Sequence, residues 1–161
     1  MLKRALNYAP HAIALFASIV FLDSLRFKFT NAPETQEIFG RLNEWAASLG
    51  AEGLFAQTGL FSQYVIGTAE LFASAFLLLG ILPQFRRFQA VGAAIAVAVM
   101  SGAISFHLFT PLGIDPNNDG GGLFMAAVVV WFTSIAMLVI RRKELMGIIT
   151  GLKNTLLPQP A

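Results

Sequence analysis

Apolar residues run almost unbroken over four stretches of the chain, about residues 6–25, 64–82, 88–109 and 123–140, with shorter polar segments between them. Each is close to the roughly 20 residues that carry a helix across ~30 Å of hydrocarbon. The fourth, LFMAAVVVWFTSIAMLVI, holds no charge at all. The first is the least regular, because Asn7, Tyr8, Pro10 and His11 crowd its start. Lys3 and Arg4 ahead of AIALFASIVFL give it the outline of a secretory leader. FLDSLRFKF stands where a small-residue cleavage site would be needed, however, and a retained helix is the expectation.

The segment between the first two stretches, about 27–63, is too long for a plain connector. In APETQEIFGRLNEWAASLG, Pro33 sits where a first helical residue belongs, acids follow it, and Gly50 sits where a C-terminal cap would fall. Ile38, Leu42, Trp45 and Leu49 recur at helical spacing, with Phe39 and Ala46 beside them. The pattern predicts an amphipathic helix over about 34–49, lying at the membrane interface or capping the bundle, with Trp45 at headgroup depth. In the third stretch Ala90, Ala94, Ala98 and Gly102 place a small residue at every fourth position, a row that lets helices approach closely in lipid. The tail TGLKNTLLPQPA predicts a short interfacial helix that frays at its prolines. The expected fold is a single all-α domain over 1–161: an integral membrane four-helix bundle with an additional amphipathic helix in the first outer loop.

Composition agrees with that pattern. The 161 residues are 56% hydrophobic and 12% charged, with a mean hydropathy of +0.67, against about 25% charged residues in a soluble domain. The net charge of +2 comes from Lys and Arg at the ends of apolar runs rather than from a basic stripe, so nucleic acid is not an expected partner. There is no cysteine, which removes disulfides, thiol redox chemistry and Cys-ligated metal sites from this chain.

Charge also orients the spans. Lys3, Arg4, Arg86, Arg87, Arg141, Arg142, Lys143 and Lys153 flank one side of the four stretches, while Arg26, Lys28 and Arg41 on the other side are offset by Glu34, Glu37, Glu44 and Glu52. The positive-inside rule then puts both termini in the cytoplasm of a multi-pass inner (plasma) membrane protein.

An ionised group inside a span costs about 2.5–3.5 kcal/mol, so each one calls for a partner, a route to water or a function. Asp23, Arg26 and Lys28 near the end of the first span, Glu70 about two turns into the second and His107 near the end of the third all fall in the outer half. Few ionisable groups are expected in the inner half. Gln63, Gly67, Glu70 and Ser74 form one small and polar stripe on the second helix. An outward-facing polar pocket is therefore expected, with Glu70 and His107 as catalytic candidates and Asp23, Arg26, Lys28 and Gln63 as substrate-binding candidates. The structural alternatives are an Asp23–Arg26 helix-end pair, a Glu70 salt bridge to Arg26 or Lys28, and a His107 hydrogen bond to a carbonyl. DPNNDG has the first ligands of a calcium loop at Asp115, Asn117 and Asp119, but the twelfth position is Ala126, so a turn is expected.

FKFTNAPETQEIF, YVIGTAELFASAFLLLG with its Gly-x-x-Glu, and GAISFHLFTPLGI together resemble the DoxX-like family of small four-helix membrane proteins, over about residues 14–140. The resemblance implies kinship with membrane oxidoreductase subunits and quinone-linked proteins, with Lys28, Glu70 and His107 at the polar motif positions. A quinone is the ligand it points to. Reducing a quinone takes two protons and two electrons: imidazole is suited to proton donation near neutral pH, Glu70 to relaying the proton, and Arg26 or Lys28 to stabilising developing negative charge. Phe27, Phe29, Phe106 and Phe109 are available to flank a flat ring. The chain has no metal-ligand cluster and no dinucleotide fingerprint, so electrons would come from a redox partner protein or a diffusible reductant. Membrane lipid and a second copy of the chain complete the expected partners. Solute transport and a non-catalytic scaffold role are the competing readings.

Overall fold

The computed structural model describes residues 2–156, with side chains from Tyr8 onward. The side chains of Lys3 and Arg4, used above for orientation, and Pro158 and Pro160 of the tail lie outside the described residues. Among the described residues there are six α-helices, one short 3₁₀ turn and no strand: α1 Leu2–Phe29, α2 Pro33–Ser48, α3 Gln63–Leu79, the turn Pro83–Phe85, α4 Arg86–Phe109, α5 Gly122–Ile140 and α6 Arg142–Leu156. α1 packs on α3 and α5, α3 on α4, and α4 on α5, closing a four-helix ring. The first helix extends past residue 25, which brings Lys28 into its last turn. The tail helix is longer than expected and begins directly after Arg141.

The ring closes because all four helices bury residues at alternating three- and four-residue spacing. Ala14, Ser18, Phe21 and Leu25 do so on α1; Gln63, Gly67, Glu70, Ser74 and Leu77 on α3; Gln89, Ala93, Ala96, Met100 and His107 on α4; and Ala127, Val130, Ser134, Met137 and then Arg141 along α5. That alternation keeps one face of a helix toward its neighbours over many turns, as in supercoiled bundles. A strict every-fourth row instead drifts round the helix by about 40° per step. For this reason the row Ala90, Ala94, Ala98, Gly102 is not the packing seam. Ala90 is buried, but Ala94 and Ala98 are exposed.

Within the bundle, α3 and α4 come into backbone contact at Gly92. A Cβ there would stand 2.8 Å from the Ala73 carbonyl oxygen and 2.9 Å from the Leu77 backbone nitrogen. Ser18 Oγ donates to the Ser74 carbonyl across α1 and α3, and Trp131 Nε1 donates to Ser101 Oγ at 2.8 Å across α5 and α4.

α2 starts at Pro33, as predicted, and ends with Gly50 at φ 82°. Gly50 N–H donates to the Ala47 carbonyl and Ala51 N–H to that of Ala46, so the last turn's orphan acceptors are satisfied. Leu42 and Ala46 are buried against Phe55 and Leu112, with Ile38, Phe39, Trp45 and Phe106 packed around them. The helix therefore caps one end of the bundle. Trp45 turns inward, edge-on to Phe106 at 6.5 Å between ring centroids, and Leu49 is exposed rather than part of the apolar face. The bundle thus has an α2 end and an α6 end.

Two helical segments, Pro83–Phe109 and Gly122–Ile140, are long and apolar enough to cross a membrane; α3 is apolar but 17 residues long. Only 28% and 22% of an 18-residue apolar window in each of the two is buried within the protein. Their apolar side chains, among them Phe109, Val129, Phe132 and Val139, face outward. So do Leu15, Phe16 and Ile19 of α1 and Leu71 and Phe72 of α3.

Candidate functional site

Glu70 and Lys28 are brought together between α3 and α1. Lys28 Nζ donates to Glu70 Oε1 at 3.1 Å and to Ser24 Oγ one turn back on its own helix. Glu70 Oε2 also lies 3.1 Å from Lys28 Nζ, within ion-pair range, but accepts no hydrogen bond. The Glu70 side chain is 3% exposed and that of Lys28 14%. A buried charge pair is tolerable only when its geometry is good and its remaining lone pairs are served. Oε2 is therefore a buried acceptor with capacity to spare.

The surroundings of the pair are apolar and aromatic. Phe29 and Leu25 face Gly67, one turn along α3 from Glu70, where a Cβ would touch both at 3.4–3.5 Å. Phe29 stacks on Tyr64 with centroids 6.5 Å apart. Phe27 instead carries the Arg26 guanidinium over its ring at 4.8 Å. Phe106 belongs to the α2 cap, and Phe109 is exposed.

The other candidates sit elsewhere. Gln63 Nε2 donates to the Lys28 carbonyl at 2.9 Å and to Asn31 Oδ1 at 3.0 Å, tying the end of α1 to the start of α3. Asp23 and Arg26 pair at 3.0 Å on the surface, with side chains 61% and 69% exposed, apart from Glu70. His107 Nδ1 donates to the Gly113 carbonyl at 2.5 Å, and its ring meets Phe124 edge-on. A carbonyl only accepts, so Nδ1 carries the proton, and in the neutral ring the lone pair is on Nε2.

Gly92 packs beside Ala73 and Leu77. At 1.5 Å of rise per residue, His107 therefore stands roughly 15 Å farther along the bundle axis than Glu70. The two catalytic candidates do not share one site. His107 belongs to the turn that joins α4 to α5.

That turn is built by its acids. Asp119 Oδ2 accepts from Leu123 N–H at 2.8 Å and its Oδ1 from Gly121 N–H at 2.9 Å, while Asp115 Oδ1 accepts from Asp119 N–H. The carboxylate caps α5. The Leu123 N–H, more than any other group, holds the Asp119 carboxyl below its ordinary value of 3.8. A lowered pKa makes the stabilisation complete above the ordinary value and lost as pH falls through the lowered one. Asp119→Ala is expected to cost about 1 kcal/mol at neutral pH. Thermal melts at stepped pH should show the gap to the parent protein closing once pH drops below the ordinary value.

The α6 end holds one buried ionisable side chain, Arg141, paired with an uncharged one. Arg141, 8% exposed, donates through Nε at 2.8 Å and Nη2 at 2.6 Å to Oε1 of the fully buried Gln89. Its Nη1 lies 3.7 Å from Glu144. Sequence reasoning misses Gln89 inside an apolar run and treats Arg141 only as one of several orienting cations. A glutamine on the buried face of a helix that opens with two arginines is the available signal. Among the described residues, no group of three or more His, Cys, Asp or Glu is placed to hold a metal ion. Compared with known proteins, the chain matches no family model, no curated protein and no solved structure.

Proposed function

We propose that the chain is an integral membrane four-helix protein, similar to the DoxX-like family, that engages a quinone beside the Lys28–Glu70 pair and serves as a small oxidoreductase or the membrane subunit of one. The outward apolar faces of all four bundle helices support immersion in lipid, since a soluble bundle would turn those faces inward. Lys and Arg crowd the α6 end, which supports a cytoplasmic placement of that end and an outward one of the α2 end.

The observation that carries the functional reading is Glu70 Oε2, a buried carboxylate oxygen without a hydrogen bond beside an apolar and aromatic wall. A ring with a polar edge and an apolar tail fits such a place: the tail takes the apolar wall, a hydroxyl of the reduced ring donates to Oε2, and a carbonyl of the oxidised ring accepts from Lys28 Nζ. A quinone supplies two-electron, two-proton chemistry when bound, with electrons from a separate partner or reductant. Glu70 holds or accepts a proton at Oε2. Lys28 keeps the carboxylate oriented and offsets negative charge that develops beside it. His107, about three helical turns away in depth, shapes the α4–α5 turn rather than this site.

Transport fits less well. Between Glu70 and the Arg141–Gln89 contact, the core around Ala73, Leu77, Ala93 and Ala96 is mainly apolar, and its buried polar side chains, Ser18, Ser74 and Ser134, are uncharged. A purely structural pair is the reading to beat, because Lys28 and Glu70 neutralise each other.

Mass spectrometry of mildly solubilised protein should find bound quinone. Glu70→Gln should lower quinone-dependent turnover at least tenfold, while His107→Ala keeps it within about twofold at equal abundance. Absence of quinone, together with unchanged turnover in Glu70→Gln, would overturn the proposal.

A further inference from the structure

α6 leaves Arg141 and packs on α4 with Leu145 and Ile148 half-buried, yet Met146, Ile149, Leu152 and Leu156 remain 48–76% exposed. Their spacings of three, three and four residues put them on one side of the helix. At 100° per residue, Arg142 and Lys153 project from the same side, between Ile149 and Met146, near the two ends of the helix, and Lys143 lies about 60° beyond Met146. Arg86 and Arg87, at the start of α4, are exposed at the same end of the bundle.

Among the described residues, the only acid at this end is Glu144, and it faces Arg141. The other eight, Asp23, Glu34, Glu37, Glu44, Glu52, Glu70, Asp115 and Asp119, lie in the half toward α2. Five exposed cations beside an apolar stripe, with no free acid among them, match a surface that is apolar below and anionic above. An apolar helix face docks to a partner of its own chain or to lipid, but the cations that accompany it select phosphate.

We propose that α6, together with Arg86 and Arg87, forms a docking surface for acidic phospholipid headgroups of the cytoplasmic leaflet. The stripe enters the acyl boundary and the five cations reach the phosphates. The buried Arg141–Gln89 contact holds the corner from which α6 departs, so the helix is presented to the leaflet at a set angle. This proposal rests on the membrane reading above and is separate from quinone binding.

The cysteine-free sequence permits a direct test on the full chain. Ile149→Cys carries a fluorophore in lipid nanodiscs made either of phosphatidylcholine alone or with one part in three of phosphatidylglycerol, both doped with nitroxide lipid. Quenching should be about threefold stronger with phosphatidylglycerol, and the triple change Arg142→Glu, Lys143→Glu and Lys153→Glu should abolish that difference.

Equal quenching in both lipids would overturn the preference for acidic headgroups. No quenching in either, while a label at Phe132→Cys on the exposed side of α5 is quenched, would overturn docking and leave the membrane reading standing. Loss of quenching at both positions would overturn the membrane reading as well. Disulfide trapping between two unlabelled copies of the Ile149→Cys chain would assign the face to a second copy instead, and so overturn the lipid proposal.

Discussion

Replacing Lys28 with alanine lowers the unfolding free energy by about 3–5 kcal/mol, the usual penalty for leaving a buried charge without its partner. Lys28 is the only cation within reach of Glu70 among the described residues, and Glu70 is almost wholly enclosed. Removing the amine strips the carboxylate of its one hydrogen bond from the lysine and of the neutralising charge. Glu70→Ala is expected to cost less, because the orphaned lysine is 14% exposed and its four-carbon stem lets the ammonium swing toward the surface. Replacing both residues with methionine removes the charges together and fills similar volume, so its cost should stay within about 1 kcal/mol of the parent. Denaturant titration in detergent micelles, followed by tryptophan fluorescence and circular dichroism, measures all three. Equal, small effects for the two single changes would mean that the pair is not buried as described.

The second large effect falls on Gly92. A β-carbon there would meet the carbonyl of Ala73 and the nitrogen of Leu77, both backbone atoms of a helix that cannot shift locally. Gly92→Ala is therefore expected to destabilise by about 1–3 kcal/mol, even though alanine favours a helix over glycine by up to ~1 kcal/mol. Gly92→Leu should separate α3 from α4 and yield aggregated protein. Gly102 is the contrast. Its nearest neighbour is the Phe106 ring at 3.9 Å, so Gly102→Ala should be neutral or stabilising by up to about 1 kcal/mol. The melting temperature should then fall for Gly92→Ala and hold or rise for Gly102→Ala.

That contrast also shows where the sequence could and could not be read. The polar stripe Gln63, Gly67, Glu70, Ser74 was legible because its spacing of four, three and four is itself the supercoil alternation, and all four residues are buried. The row through Ala94 and Ala98 looked equally regular but drifts off the seam, because small residues tolerate exposure and mark no face by themselves.

Lys28 meeting Glu70 was open among two cations. The choice was made by α1 continuing through Phe29, with Gln63 holding its last turn. Position along the chain alone groups His107 with Glu70, because both fall toward the same end of the bundle. α4 runs beyond the level at which α3 begins, and only the Gly92 contact fixes the relative height of the two helices. Asp23 and Arg26 pair as an i,i+3 spacing allows, but on the outside of α1: Asp23 lies two positions from both Phe21 and Leu25, and both partners are exposed. The Arg141–Gln89 contact joins residues 52 apart in the chain, and no local pattern encodes such a pairing.

The central claim is that the Lys28–Glu70 pair binds a ligand and does more than hold α1 to α3. The most direct measurement is the amount of quinone retained per chain by the Lys28→Met, Glu70→Met protein, purified under mild conditions and shown by circular dichroism to be as folded as the parent. If the pair is the binding site, the folded double variant loses at least nine-tenths of the quinone that the parent retains, a change of about 1.4 kcal/mol or more in binding. If it keeps the parent's quinone content, the pair is structural and the claim is wrong.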